Sequence, residues 1–380
     1  MEIYDFIHGN IILDDLAKKI INTEEFQRLR GIKQLGCCNY VFPSAVHTRF
    51  EHSLGVYHLS KKYIDILNTN DQFTEDDIRC ITIGALIHDL GHGPYSHLFD
   101  EIVNPEKNHE YRSIELLKFM NHKYEIGLTD DDISKIHIII YPQEKYITHE
   151  KKYVYQIVSN KTGIDMDRFD YIVRDIKMTG LNYGIEYDRI MKNSSIVDGE
   201  IVYSEKVKTS IEEFFHIRFI MYKEVYNHHT VRSIEYMMKD YIKGMDDILC
   251  ISDTIENNNW TNFIKLTDSI VDVIHFMDSK DENLLTLIRK IKTRDIYKSV
   301  GEIISDSPIL LTGYNTDHLI VDSVKISYHG KEDCKYVKTR ETINKSLTIH
   351  KNDKYITSIY YKEKDYYKEA IDLFEKLRVI

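Results

Sequence analysis

His88, Asp89, His92 and His97 stand within ten residues at the end of an apolar run that begins at Ile81. An imidazole beside a carboxylate, with further imidazoles about one or two helical turns on, supplies the groups that hold a divalent metal or move protons. Each buried ring nitrogen needs a partner, so three such rings are hard to accommodate as inert core. Adjacent helical residues point about 100° apart, so His88 and Asp89 can share a cation only if it sits beside their helix. The other ligands must come from elsewhere in the chain.

Two further segments offer them. The stretch His-Thr-Arg-Phe-Glu-His-Ser, residues 47–53, puts Arg49 and His52 on one helical face. If residues 165–175 are helical, Asp167, Asp170, Tyr171, Arg174 and Asp175 share a polar face, with Phe169, Ile172, Val173 and Ile176 on the apolar one. That polar face fits a solvated surface with an Asp170 to Arg174 ion pair equally well. Taken together, His52, His88, Asp89 and Asp167 form a mixed nitrogen and oxygen set suited to iron, manganese or zinc. Arg49 lies where its guanidinium can grip a phosphate with two hydrogen bonds. A metal held this way acidifies water and steadies a phosphoryl oxygen, and His92, His97 and His109 are the candidates for protonating the departing oxygen.

These residues need helices to present them. The pattern predicts a helix over residues 75–90, stopped by Gly91 and Gly93-Pro94. Residues 2–9 end in Ile-His-Gly and read as a short strand or turn. Residues 10–35 read as two helices with Asn22-Thr23 as the cap between them. Further helices are expected over 44–67, 109–121, 130–139, 208–243, 263–277 and 283–291, and Asp198-Gly199 signals a hairpin. Strands are expected over 319–327, 345–350 and 356–361, then a closing helix over 365–377. The fold class is mainly α: a helical body, residues 1–300, carrying a small β-hairpin, then a smaller α+β lobe, residues 301–380.

Composition excludes several classes. The 380 residues are 42% hydrophobic and 29% charged, with no run long enough to span a membrane and no signal-peptide pattern. Five cysteines without Cys-x-x-Cys spacing point to free thiols and a cytoplasmic setting. A net charge of −11 opposes broad nucleic-acid binding, so a phosphate-bearing ligand must be met by a local cluster. Arg28 and Lys33 read either as further phosphate contacts or as ordinary surface charges.

The order His52, His88-Asp89, Asp167 resembles the signature of the HD-domain phosphohydrolases. Residues 26–36, 49–55, 88–97 and 163–175 are similar to the deoxynucleoside triphosphate triphosphohydrolases, nearest to their vertebrate SAM-and-HD-domain branch. The resemblance implies attack of water at the α-phosphate of a dNTP, releasing deoxynucleoside and intact triphosphate. It makes His52, His88, Asp89 and Asp167 the metal ligands and Arg49 the phosphate-holding arginine. It makes His97 and His109, with Asp100 as orienting partner, the acid/base group, and it sets His92, Arg168 and Arg218 beside the phosphates. Gln34, Leu35, Tyr171, Asp175 and Tyr226 then enclose the sugar, where an aromatic wall leaves no room for a 2′-hydroxyl. Magnesium would accompany the triphosphate, and a dimer or tetramer is expected.

Asn22, Gln27 and Arg30 match an effector-binding site. The family carries an aspartate where this chain has Asn22, and an amide offers guanine one acceptor in place of two. Weakened or absent guanine-nucleotide activation is therefore expected, as is the absence of a SAM-type module. The rival readings are another HD phosphohydrolase, acting on monophosphates, cyclic nucleotides or an alarmone, and a catalytically silent nucleotide or nucleic-acid binder.

Overall fold

The computed structural model describes residues 1–277, 281–309, 318–327, 333–339, 342–346 and 353–378. It begins with an antiparallel hairpin of β1 (Glu2–Asp5) and β2 (Gly9–Ile12), which pairs Glu2 with Ile12 and Asp5 with Gly9. The helical body follows as α1 (Asp15–Ile21), α2 (Glu24–Gln27), α3 (Arg49–Leu67), α4 (Glu75–Ile87), α5 (His97–Asp100), α6 (His109–Lys123) and α7 (Asp130–Ile140). It continues through α8 (Met166–Thr179), α9 (Tyr187–Lys192), α10 (Lys208–Met221) and α11 (His229–Gly244). The fold is mainly α, as the sequence pattern predicts.

Local chemistry sets the starts of the site-bearing helices. Thr48, Thr74 and Thr129 open α3, α4 and α7 with capping boxes closed by Glu51, Asp77 and Asp132. Asp165 caps α8 by accepting from the Arg168 amide at 2.9 Å. Helix α3 packs against both α4 and α8. Its Gly55 lets α8 come close: a Cβ there would stand 1.9 Å from Asp170 Oδ1. Those three helices bring the four expected metal-ligand residues together.

The expected boundaries move where tertiary contacts override helical spacing. Helix α3 starts at Arg49, not residue 44, and α4 ends at Ile87, leaving His88 as its cap. The helix expected to run to residue 35 stops early: α2 passes into a 3-10 turn, Arg28–Gly31, and Lys33 then bridges to Thr48. Residues 10–12, expected as helix, belong to β2. The helix expected over 208–243 breaks at a π-turn, Tyr222–Tyr226. Residues 263–277 hold only short turns of helix, including Ile270–Val273.

Asp198 and Gly199, both with positive φ, turn the hairpin of β3 (Ser194–Val197) and β4 (Glu200–Ser204). Strands β5 (Lys298–Ser305), β6 (Leu319–Ile326) and β9 (Lys354–Tyr361) form an antiparallel sheet in the order β5-β9-β6. Helix Tyr367–Arg378 packs on it around Leu319, Val321, Ile359, Ala370 and Leu373. Strand β7 (Lys335–Thr339) runs parallel to β4, pairing Tyr336 with Tyr203, and pairs antiparallel with β8 (Thr342–Ser346). The strand expected over 345–350 therefore overlaps β8 at its start, and residues 347–350 lie outside the described residues.

Candidate metal centre and active site

Nε2 of His52 on α3 and Nε2 of His88 at the end of α4 face each other at 3.1 Å. Oδ1 of Asp167 on α8 lies 3.1 Å from the first and 3.5 Å from the second. The Asp89 carboxylate lies alongside, with Oδ2 3.5 Å from His52 and Oδ1 3.6 Å from His88, while His52, His88 and Asp167 form the tightest donor group. Such spacings match the edges of a coordination polyhedron around an ion bound at about 2.0–2.2 Å.

The far sides of both rings support that fit. His52 Nδ1 donates to Asp170 Oδ2 at 2.7 Å and His88 Nδ1 donates to the Ala85 carbonyl at 2.8 Å, leaving both Nε2 lone pairs turned inward. Charge agrees. Burial disfavours the imidazolium of His52, yet Asp167 and Asp170 outweigh it and raise His52 to about 10. Burial likewise opposes ionisation of Asp89, but Arg49, His88 and His92 hold its carboxyl well below the usual range. The buried carboxylates of Asp89 and Asp170, with the half-buried Asp167, call for positive charge at the Nε2 atoms, which a divalent ion supplies.

Asp170 is the residue that the sequence pattern left between surface and site. The ion pair with Arg174 forms, at 2.9 Å, but both side chains are buried rather than solvated.

Next to this centre lies a histidine cluster. His92 stacks on His109 with ring centroids 3.9 Å apart, and His97 meets both rings edge-on. His109 Nδ1 donates to Asp100 Oδ2 at 2.5 Å, so Asp100 stands behind the ring as an orienting partner. His97 faces the cavity. Desolvation by the cavity walls, with Arg49 and His109 close by, lowers the proton affinity of His97 although its side chain stays open to solvent, and the same three causes lower the fully buried His92 further.

Two buried arginines fix the loop that carries these rings. Arg28 Nη2 donates to the His92 carbonyl at 2.6 Å and its Nε to the Leu266 carbonyl at 3.1 Å. Arg112 Nε donates to the Gly91 carbonyl at 2.8 Å, and its Nη2 reaches Asp100 at 2.6 Å. Arg28 is thus neither a surface charge nor a phosphate contact, and Lys33 is held by Asp268 at 3.4 Å. A Cβ at Gly91 would lie 2.2 Å from the His109 carbonyl, so that position admits glycine alone if α6 is to dock there.

Two adjoining cavities open onto these groups. One, of about 200 Å³, is lined by His88, Asp89, His92, His97 and His109, and by Glu110, Ile140, Val158 and Ser159. The other, of about 280 Å³, is lined by Leu35, Asp175, Tyr222 and Tyr226. Gln34, Arg49, His97, Asp167, Arg168 and Tyr171 border both. Arg49 is buried and tied to Asp89 and, at 2.8 Å, to Ser96 Oγ. Arg168 is paired with Asp165. Gln34 Oε1 has no hydrogen-bond partner among the described residues.

Asp175 takes Tyr226 Oη at 2.7 Å on one oxygen and His47 Nε2 at 2.7 Å on the other. Arg218 is not among the residues lining these two cavities but stands behind their wall, beside Tyr171 and Tyr222. It stacks on Tyr222 and donates to the Ser327 carbonyl at 2.8 Å. Sequence reasoning missed His47, Tyr222 and Arg112 as site groups. The π-turn that brings Tyr222 to the cavity has no signature in residue spacing, whereas His47 stood in view within the 47–53 motif.

Asn22, Gln27 and Arg30 sit at the α1 to α2 junction. Asn22 is the exposed C-cap of α1, and Gln27 donates to the Ile21 carbonyl at 2.8 Å. Arg30 donates to Gln27 Oε1 at 2.9 Å and lies over the Phe50 ring.

Comparison with known proteins gives the same residues a family. The HD domain family matches residues 49–174 and the HD associated region matches 185–307. The chain is 39% identical over 341 residues to an HD domain-containing protein of Acanthamoeba polyphaga mimivirus, covering 78% of this chain and 72% of that protein. It is 36% identical over 335 residues to the deoxynucleoside triphosphate triphosphohydrolase SAMHD1 homolog of Dictyostelium discoideum, covering 85% of this chain and 64% of that relative. Against the human SAMHD1 deoxynucleoside triphosphate triphosphohydrolase, identity is 33% over 342 residues, with 79% of this chain and 55% of that protein covered. The chain thus spans less than two thirds of those two triphosphohydrolases. His52, His88, Asp89 and Asp167 all fall inside the HD match, and with most of the mimivirus relative covered as well, the chain belongs to the HD-domain family.

Proposed function

We propose that this chain is a metal-dependent dNTP triphosphohydrolase that splits dNTPs into deoxynucleoside and triphosphate. The supporting observation is the continuity of the two cavities: the metal donors and histidines border one, the tyrosines and Asp175 border the other, and Arg49, His97 and Arg168 stand at the seam. The names of the triphosphohydrolase relatives agree with it.

His52, His88, Asp89 and Asp167 would hold iron, zinc or manganese, which supplies Lewis acidity toward water and a phosphoryl oxygen. Arg49, Arg168 and His92 hold the phosphates, with magnesium accompanying the triphosphate. His97, its proton affinity lowered, is neutral near pH 7 in the free protein. The charge of a bound triphosphate raises its proton affinity, so His97 and His109 can deliver the proton that the departing O5′ requires. Tyr171 and Tyr226 close on the sugar, and Asp175 and Gln34 accept or donate at the 3′-hydroxyl.

The same reading takes residues 1–300 as the catalytic body and 301–380 as an accessory lobe in a cytoplasmic homo-oligomer. It assigns Asn22, Gln27 and Arg30 to an effector site with weakened guanine recognition. Among the described residues no helix is long and apolar enough to cross a membrane.

The test is incubation of the metal-loaded chain with each dNTP, alone and with GTP, resolving products by anion exchange. Deoxynucleoside plus triphosphate, lost in His88→Ala, supports the proposal. Release of pyrophosphate or orthophosphate, or cleavage of cyclic nucleotides or monophosphates alone, overturns it in favour of another HD phosphohydrolase. A sharp rate increase with GTP overturns the effector reading.

A further inference from the structure

The Ile-His-Gly at the tip of the first hairpin has no part in the chemistry above, yet its histidine reaches the metal centre from behind. His8 Nε2 lies 2.6 Å from Asp170 Oδ1, with 1% of the His8 side chain and none of the Asp170 side chain exposed. Asp170 Oδ2 is the acceptor of the Nδ1 hydrogen of His52. Arg174 supplies two more donors, Nη2 to Oδ1 and Nε to Oδ2, each at 2.9 Å. Two oxygens with two lone pairs each therefore meet four donors, and the carboxylate has no freedom to rotate.

The hairpin is fastened to the same knot. Asp5 Oδ2 accepts from Arg174 Nη1 at 2.9 Å, while Asp5 Oδ1 accepts the backbone amides of Ile7 and His8 at 2.9 Å each. Asp5 thus folds the turn that presents His8 and anchors that turn on α8. The β1 and β2 hairpin, remote in sequence from every proposed ligand, ends two hydrogen bonds away from one of them.

We infer that His8 is a positioning residue for the metal centre, fixing the ring of His52 through Asp170. Losing the His8 bond leaves Asp170 Oδ1 short of a donor and lets the carboxylate tilt, and His52 turns its Nε2 with it. Partners behind a metal-bound histidine govern affinity in this way. The inference rests on the metal-site reading above.

The test strips the full chain of metal with a chelator and titrates it with Co²⁺, reading affinity and the ligand-field absorption bands. His8→Ala is expected to weaken Co²⁺ binding by about tenfold or more and to shift the bands. His8→Gln, whose amide can donate to Asp170, is expected to recover most of the affinity. Ile11→Ala, a cavity in the same hairpin at a fully buried position, is expected to lower Tm and leave Co²⁺ affinity intact. Wild-type affinity in His8→Ala overturns the inference, as does an Ile11→Ala loss equal to that of His8→Ala, because hairpin stability would then be the cause. A wild-type chain that takes up no Co²⁺ overturns the metal reading itself, and this inference with it.

Discussion

Asp100 joins His109 to the buried Arg112: one carboxylate oxygen takes Nδ1 of His109 at 2.5 Å and the other takes Nη2 of Arg112 at 2.6 Å. The ring of His109 is thereby held in one tautomer, with Nε2 free to exchange a proton. Replacing Asp100 by Asn puts an amide at the same distance, and its NH2 group can face Nδ1 and force the opposite tautomer. Asp100→Asn is expected to lower kcat by about 10²–10⁴ with little change in KM, since proton transfer in the transition state is worth that much. Steady-state kinetics on dNTP at matched Tm is the check.

Tyr226 donates to the same Asp175 carboxylate that accepts from His47. Tyr226→Phe keeps the ring and deletes that donor, leaving Asp175 one partner short where the sugar is proposed to bind. KM for dNTP is expected to rise by about tenfold, the equivalent of roughly 1.4 kcal/mol, with a smaller change in kcat. A kcat loss without a KM change would remove Tyr226 from the sugar site. Tyr171→Ala opens the same wall and is expected to admit ribonucleotides, which competition between dATP and ATP would report.

Three carboxylates share one guanidinium where α11 meets β6. Arg232 pairs with Glu235 at 2.6 Å and with Asp322 of β6 at 3.0 Å, and Glu101 lies 3.9 Å away. Desolvation, opposed by Arg232 and reinforced by Glu101 and Asp322, raises Glu235 to about 7 from an ordinary 4.5. The folded chain then binds this proton more tightly than the unfolded one, so the stability it contributes is present below about pH 4.5 and falls as pH rises through about 7. Glu235→Gln removes that slope. The Tm of Glu235→Gln relative to wild type is expected to climb from pH 5 to pH 8, and a constant difference would count against the shift.

Arg28, 6% exposed, spends its guanidinium on the carbonyls of Leu90, His92 and Leu266. Arg28→Met fills the volume and leaves those acceptors unpaired, at about 1–3 kcal/mol for each that water cannot reach. A lowered Tm is expected, together with lower turnover because the His92 loop is released. Calorimetry and a rate measurement below the new Tm separate the two effects.

Much of the centre is legible in residue order because its parts are local. The Gly91 and Gly93-Pro94 stop and the Asp198-Gly199 turn act within a few residues, and such signals survive in any context, whereas apolar spacing that runs back to residue 44 hides the Thr48 capping box that starts α3. Helical periodicity over 44–67, 75–90 and 165–175 suffices to put His52, His88-Asp89 and Asp167 on three elements. The helix expected to reach residue 35 failed for the opposite reason: Ile32 and Leu35 carry helical spacing, but the strand-like bridge from Lys33 to Thr48 satisfies the backbone differently.

Residue order alone thus carries a mainly helical fold, the donor types of a candidate metal centre and the histidines beside it. Tertiary structure decided which charged residues are buried. Asp170 with Arg174 reads as a surface ion pair until His8, 162 residues from Asp170, and Asp5 close over it. Likewise His47 acquires its partner Asp175 across 128 residues, and Arg28 reaches His92 across 64. A charged side chain leaves water only where complementary groups already wait, and those groups come from chain segments whose meeting no local periodicity records.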